Sequence, residues 1–167
     1  NDGDQDLVLG MPWGILIHAN DGSGRFIQEV TYLTRSEPQS VVAADYDADG
    51  DLDLYLCGYA LSWRAFRDGE SSHPVPFYDA NNGAPNALLR NEGGLRFNSV
   101  TAQVGLDQNN RRFSFAAAWG DYDDDGDADL YVANDFGRNN LYRNDGGKFV
   151  DVAETAGVED VASGMSV

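Results

Sequence analysis

Cysteine is nearly absent from this chain. Cys57 is the single one in 167 residues, so no disulfide can form within it. It stands in the run 54–58 and reads as a small buried apolar residue, not a nucleophile. Lysine is equally scarce: Lys148 stands against ten dispersed arginines, of which only Arg111 and Arg112 are adjacent. With a net charge of −17 and no basic stripe, the chain is a poor partner for a phosphate backbone, which argues against nucleic acid. The two histidines, His18 and His73, have no zinc-ligand spacing. No apolar run approaches the roughly 20 residues of a membrane-spanning helix.

Aspartate is what the chain has in excess. The stretch 121–132 reads DYDDDGDADLYV, with Asp121, Asp123, Asp125, Asp127 and Asp129 at alternate positions and Gly126 sixth. The pattern recurs at 45–56 as DYDADGDLDLYL, giving Asp45, Asp47, Asp49, Asp51 and Asp53. Its second half opens the chain as NDGDQDLVLG, where Asp2, Asp4 and Asp6 match positions five, seven and nine. These three stretches hold 14 of the 28 acidic residues, so the charge is local and says little about the rest of the surface. Carboxylates crowded into one loop repel one another unless a cation neutralises them. Hard oxygen donors at alternate positions, with glycine at a sharp bend, suit Ca²⁺.

An EF-hand is excluded. Its loop needs a bidentate glutamate at position twelve and flanking helices, whereas position twelve is Leu56 or Val132. After position eight the residues alternate as in a strand: Leu52, Leu54 and Leu56 are apolar, Asp53 acidic and Tyr55 amphipathic. The position-nine aspartates, Asp53 and Asp129, can therefore close a coordination shell as the chain enters a strand. Asp51 and Asp127 at position seven are expected to offer a backbone carbonyl, with their side chains at the rim.

The pattern resembles the FG-GAP/VCBS repeats of integrin-α-like β-propellers. The likeness extends through Gly120-Asp121-Tyr122, 131–135 and 140–149, where the chain is similar to the bacterial branch that carries an ASPIC/UnbV segment and to cartilage acidic protein. The resemblance implies an all-β propeller segment of four-stranded antiparallel blades. It also implies Ca²⁺ held between the first two strands of each blade through positions 1, 3, 5, 7 and 9. Those positions match at 45/47/49/51/53 and at 121/123/125/127/129, with a partial site at Asp2, Asp4 and Asp6.

Taken in order, residues 1–34 form an incomplete blade. Strands are expected at 7–10, 13–19 and 25–32, with a turn at 20–24. A second blade covers 38–104, with strands at 40–44, 53–59, 87–90 and 95–100. A third covers 112–154, with strands at 113–119, 130–133, 140–143 and 148–153, and residues 163–167 would start another. From the position-nine aspartate to the turn asparagine is 14 residues in the first repeat and 15 in the third, but 38 in the second. About 24 residues are therefore inserted within 60–85. Phe26, Phe97 and Phe149 hold equivalent outer-strand positions and are expected to pack between blades.

Fewer than three blades cannot close a propeller of roughly four to eight, so further blades or subunits are expected at both ends. The chain reads as an excerpt of a longer protein. The insertion carries Trp63, Phe66, His73, Pro74, Pro76, Phe77 and Tyr78 and is either a recognition surface for a protein or carbohydrate ligand or a flap over a blade edge. The leading expectation is a calcium-stabilised interaction scaffold at an extracellular, cell-surface or periplasmic location, without catalysis. The alternatives are the propeller of a secreted enzyme, for which Ser71, Ser72, His73, Asp68 and Asp79 are the best candidates, and a filament or surface-layer subunit joined through open edges.

Overall fold

A computed structural model describes residues 3–61, 73–161 and 164–167. It contains three antiparallel sheets. The first joins β1 (Leu7–Met11), β2 (Gly14–Asn20) and β3 (Phe26–Leu33). The second runs through β4 (Ser36–Ala44), β5 (Asp53–Leu61), β6 (Ala87–Asn91) and β7 (Phe97–Ser99) in that order. The third repeats this with β8 (Ser114–Gly120), β9 (Asp129–Asn134), β10 (Asn140–Asn144) and β11 (Phe149–Asp151). Every strand pairs with its sequence neighbour within its sheet, as short turns and local contacts favour.

The sheets stack face to face because their middle strands are apolar on both sides. On β5, Leu54 and Leu56 point to the first sheet and join Ile15, Ile17 and Leu89. The alternate residues Tyr55 and Cys57 point to the third sheet and join Leu130, Val132 and Tyr142. A strand's period of two divides one sequence between two cores. This is the arrangement of consecutive propeller blades, in which no sheet buries both faces alone. Burial also pushes the Cys57 thiol up to about 12, so it stays protonated and serves packing.

Several boundaries differ from expectation, each for a backbone reason. β4 begins at Ser36, not at residue 40, and its register shifts around Pro38, which has no N–H to give a ladder. The outermost strands of the second and third sheets are only three residues long. Leu95 precedes β7 with φ +59°, outside the extended region. After β11 the chain turns into α1 (Ala153–Ala156), closed by Gly157 in the left-handed conformation. Phe113 has φ +58°, so β8 starts one residue late. Residues 164–167 form no strand.

The three phenylalanines are not equivalent. Phe149 packs on Tyr46 and Trp119, and Phe97 on Tyr32. Phe26 is 51% exposed and, among the described rings, meets only His18, edge to face, because its side of β3 faces no neighbouring sheet.

Leu130→Ala, at the fully buried junction of the second and third sheets, is expected to cost about 2–5 kcal/mol, whereas Phe26→Ala should cost less than about 1 kcal/mol. Urea unfolding of both variants measures the difference, and equal losses would contradict this placement of the cores.

Candidate metal centre

The two complete aspartate loops link β4 to β5 and β8 to β9. They adopt one backbone form. Position four takes a positive φ in each, Ala48 at 58° and Asp124 at 62°, and position six is Gly50 at 92° and Gly126 at 95°. Glycine is the residue that adopts the second of these bends without strain. The position-one carboxylate then closes the turn. Asp45 accepts the N–H groups of Asp49 and Gly50 at 3.0 and 2.9 Å, and Asp121 accepts those of Asp125 and Gly126 at 3.1 and 3.0 Å. At position five, Asp49 and Asp125 each accept the N–H two residues on, at 2.9 Å.

Position nine ties the loop to a distant turn. Asp53 is fully buried and accepts the N–H of Asn91 at 2.8 Å and of Tyr46 at 3.3 Å. Asp129 is 1% exposed and accepts those of Asn144 at 2.7 Å and Tyr122 at 3.0 Å. Asp6 accepts the N–H of Asn20 at 2.8 Å. The unequal spacings of 14, 38 and 15 residues are thus one hydrogen bond made three times. In the sequence, Asn20, Asn91 and Asn144 mark only turns. Their partnership with the aspartates was legible in the constant Asn-x-Gly that follows at the same place in each repeat.

Position seven also has a task beyond its carbonyl. Asp127 Oδ2 accepts the N–H of Gly146 at 2.7 Å. Asp51 and Asp4 lie beside Gly93 and Gly22, the matching glycines two residues after their turn asparagines. These side chains face the turn, not the carboxylate cluster.

The clusters themselves fit a cation. Asp45, Asp47 and Asp49 each place a carboxylate oxygen within 4.8 Å of the others, as do Asp121, Asp123 and Asp129. Asp47 Oδ1 is buried without a hydrogen-bond partner, a costly state for a carboxylate oxygen that a metal ion would relieve. The electrostatics point the same way. Burial raises the Asp47 carboxyl, and the charge of Asp49 raises it further. Burial also raises Asp123, with Asp125, Asp129 and Asp121 adding to it. Asp53 is pushed up to about 6 by burial, against the opposing backbone bonds from Asn91 and Tyr46. An all-oxygen donor set suits a hard cation better than zinc or copper. In the half loop, Asp4 and Asp6 are exposed, and Asp2 lies outside the described residues.

The opposite end of the sheets carries the insertion. Tyr59 sits edge-on to Phe113 and Phe115, and Phe136 bridges Phe113 to Phe77. Val75, Phe77 and Tyr78 are 64, 70 and 75% exposed. Asp79 pairs with Arg112 at 2.6 Å and Arg138 at 3.3 Å, and Arg138 reaches Glu159 at 2.6 Å. Burial would raise the Asp79 carboxyl, but the two guanidinium groups outweigh it and hold the group low. Of the residues suggested for catalysis, Asp79 is therefore engaged in ion pairs. Asp68, Ser71 and Ser72, with Trp63 and Phe66, lie outside the described residues.

The sequence profile described as FG-GAP-like repeat matches residues 1–56 and 121–167. None of the curated proteins matches the chain.

Three outcomes are expected here. Asp129→Ala should cost about 2–4 kcal/mol in chelator as well as in metal, because it strands the buried N–H of Asn144 and the part-buried N–H of Tyr122. Asp123→Asn in chelator should leave stability unchanged or raise it, since it removes a repelling charge; urea unfolding distinguishes the two. For pH, the raised carboxyl of Asp53 means that the metal-free native state binds its proton more tightly than the unfolded chain. This contribution favours folding below the ordinary carboxylate range and is lost as pH rises through about 6. Metal-free melting temperatures should therefore fall between about pH 5 and pH 7, and a rise would contradict the shift.

Proposed function

The chain belongs to the FG-GAP-like repeat family, and from that membership we propose that its two complete loops bind Ca²⁺ and that the ion's role is to stabilise the sheets as an interaction scaffold. The observation that carries this reading is the pair of carboxylate clusters, one of which contains the unpartnered, buried Asp47 Oδ1. Asp45, Asp47 and Asp49 would supply one set of oxygens, and Asp121, Asp123 and Asp129 the other, with Asp53 and Asp125 beside them. A bound ion cancels the mutual repulsion of these groups and fixes two loops that each join a pair of strands.

The family is typically found outside cells or at their surface. Free Ca²⁺ is abundant there, and extracellular modules bind it at about 10⁻⁴ to 10⁻³ M. An extracellular, cell-surface or periplasmic scaffold follows. Among the described residues no helix is long and apolar enough to cross a membrane. The end of the sheets opposite the loops offers Val75, Phe77 and Tyr78 as exposed anchors for a protein or carbohydrate ligand. The outer faces of the first and third sheets would pack against further blades or subunits.

Calorimetric titration should give two ions per chain, one for each cluster. Asp47→Ala and Asp123→Ala should each reduce this to one. At a free concentration of 100 times the dissociation constant, each site should add about 2.7 kcal/mol of stability. A melting temperature indifferent to calcium and to chelator would overturn the proposal.

A further inference from the structure

At the end opposite the aspartate loops, the first and second sheets enclose a cavity of about 270 Å³. Leu33, Ala87 and Leu89 give it apolar walls, Ser99 and Thr101 a hydroxyl rim, and Arg35 a cation. None of its lining residues belongs to β1 or to the half loop before it. The link from β3 to β4 forms its mouth, and the structure describes that link in full.

The next junction explains why the space is open. Leu89 pairs with Ser99 across β6 and β7, as Tyr142 pairs with Asp151 across β10 and β11. Tyr142 and Asp151 are covered by the link between β7 and β8. The Tyr142 hydroxyl donates to the carbonyl of Gln108 at 2.7 Å, Asp151 accepts from Asn109 Nδ2 at 3.2 Å, and the Phe149 N–H donates to the carbonyl of Val104 at 2.7 Å. Val104 and Leu106 of that link are buried in the core with Tyr142 and Phe149. The link between the first and second sheets is too short to do the same. Phe97 to Ser114 spans 17 residues, and Phe26 to Ser36 only 10. Tyr32 replaces one contact, because its hydroxyl takes the N–H of Phe97 at 3.1 Å where a carbonyl serves Phe149. Among the described residues none takes the place of Gln108 and Asn109, so Leu89 and Ser99 line a cavity.

Charge and hydrogen bonding define what fits. Among the described residues no carboxylate lines the cavity, although the chain carries a net charge of −17. Arg35 makes no ion pair. Thr101 Oγ1 accepts the N–H of Leu88 at 2.9 Å and lies 3.5 Å from Ser99 Oγ. When one of these hydroxyls donates to the other, one proton is left for a ligand. We propose that this cavity binds a carboxylate carried on a short aliphatic chain. The aliphatic part lies against Leu33, Ala87 and Leu89 and extends the apolar cluster around Ile15 and Leu54. The carboxylate meets the Arg35 guanidinium and the remaining hydroxyl proton, both charge-assisted contacts. A small free acid and the carboxyl terminus of a peptide carry the same group.

The test titrates the whole chain with N-acetyl-leucine and follows the backbone amide resonances of Leu88 and Thr101, with N-acetyl-leucinamide as the uncharged control. Saturable shifts are expected for the acid, and binding of the amide at least about tenfold weaker. Arg35→Gln should bring the acid down to the affinity of the amide without moving the melting temperature, since Arg35 is exposed and unpaired. Ser99→Phe, which fills the cavity, should abolish binding of both. Hexanoate and acetyl-Ala-Ala-Leu separate the two sources. Tighter binding of hexanoate than of N-acetyl-leucine assigns a free acid, tighter binding of the peptide assigns a chain terminus, and either upholds the site. Absence of saturable shifts, equal affinity of acid and amide, or indifference to Arg35→Gln overturns the proposal.

Discussion

A buried carboxylate that accepts two backbone N–H groups holds each of the two complete repeats together. Asp53 and Asp129 each receive one N–H from the start of their own loop and one from an asparagine opening a turn on the far side of the sheet. A charge in this position is tolerable only because it is hydrogen-bonded. In return it fixes where the loop ends, where the second strand begins, and how the last pair of strands is placed. The asparagine completes the exchange. Asn144 Nδ2 donates back to the carbonyl of Ala128, and Asn91 Nδ2 to that of Leu52. Loop and turn are thus bound by matched pairs of bonds before any ion is considered.

The loops are also part of the packing between sheets. Tyr46, at position two, belongs to the same buried cluster as Tyr55, Leu130 and Phe149. Burial pushes its hydroxyl up to about 12, with Asp47 and Asp53 adding to the effect. A residue that sits between two aspartates of a carboxylate cluster is therefore a core residue of the neighbouring sheet's interface. Whatever neutralises Asp47 acts one residue away from that interface. Electrostatics in the loop and apolar packing between blades are linked through a single side chain.

Most of this architecture was readable in the residues. The alternate aspartates, the glycine at six and the apolar alternation after position eight are local signals, and each maps onto a local structure. The distance from aspartate to turn asparagine could be counted without knowing that it was a bond. What escaped is what depends on neighbours or on rare backbone states. Nothing in the sequence marks Leu95 or Phe113 for positive φ. The exposure of Phe26 beside the burial of Phe149 follows from which sheet lies alongside, not from either residue's surroundings in the chain. The turn of helix at Ala153–Ala156 is too short to leave a periodic trace. The bond that Asp127 accepts from Gly146 was hidden because an aspartate among alternate aspartates is read first as a ligand.

The bond from Asp53 to Asn91 closes 38 residues, where Asp129 to Asn144 closes 15. Loop-closure entropy grows only with the logarithm of length, so the longer closure costs about 1 kcal/mol more. The blade is thus gauged at its fastened ends and is nearly indifferent to how much chain runs between them. A scaffold clamped in this manner can acquire new surface at that connection by simple elongation, with its register untouched.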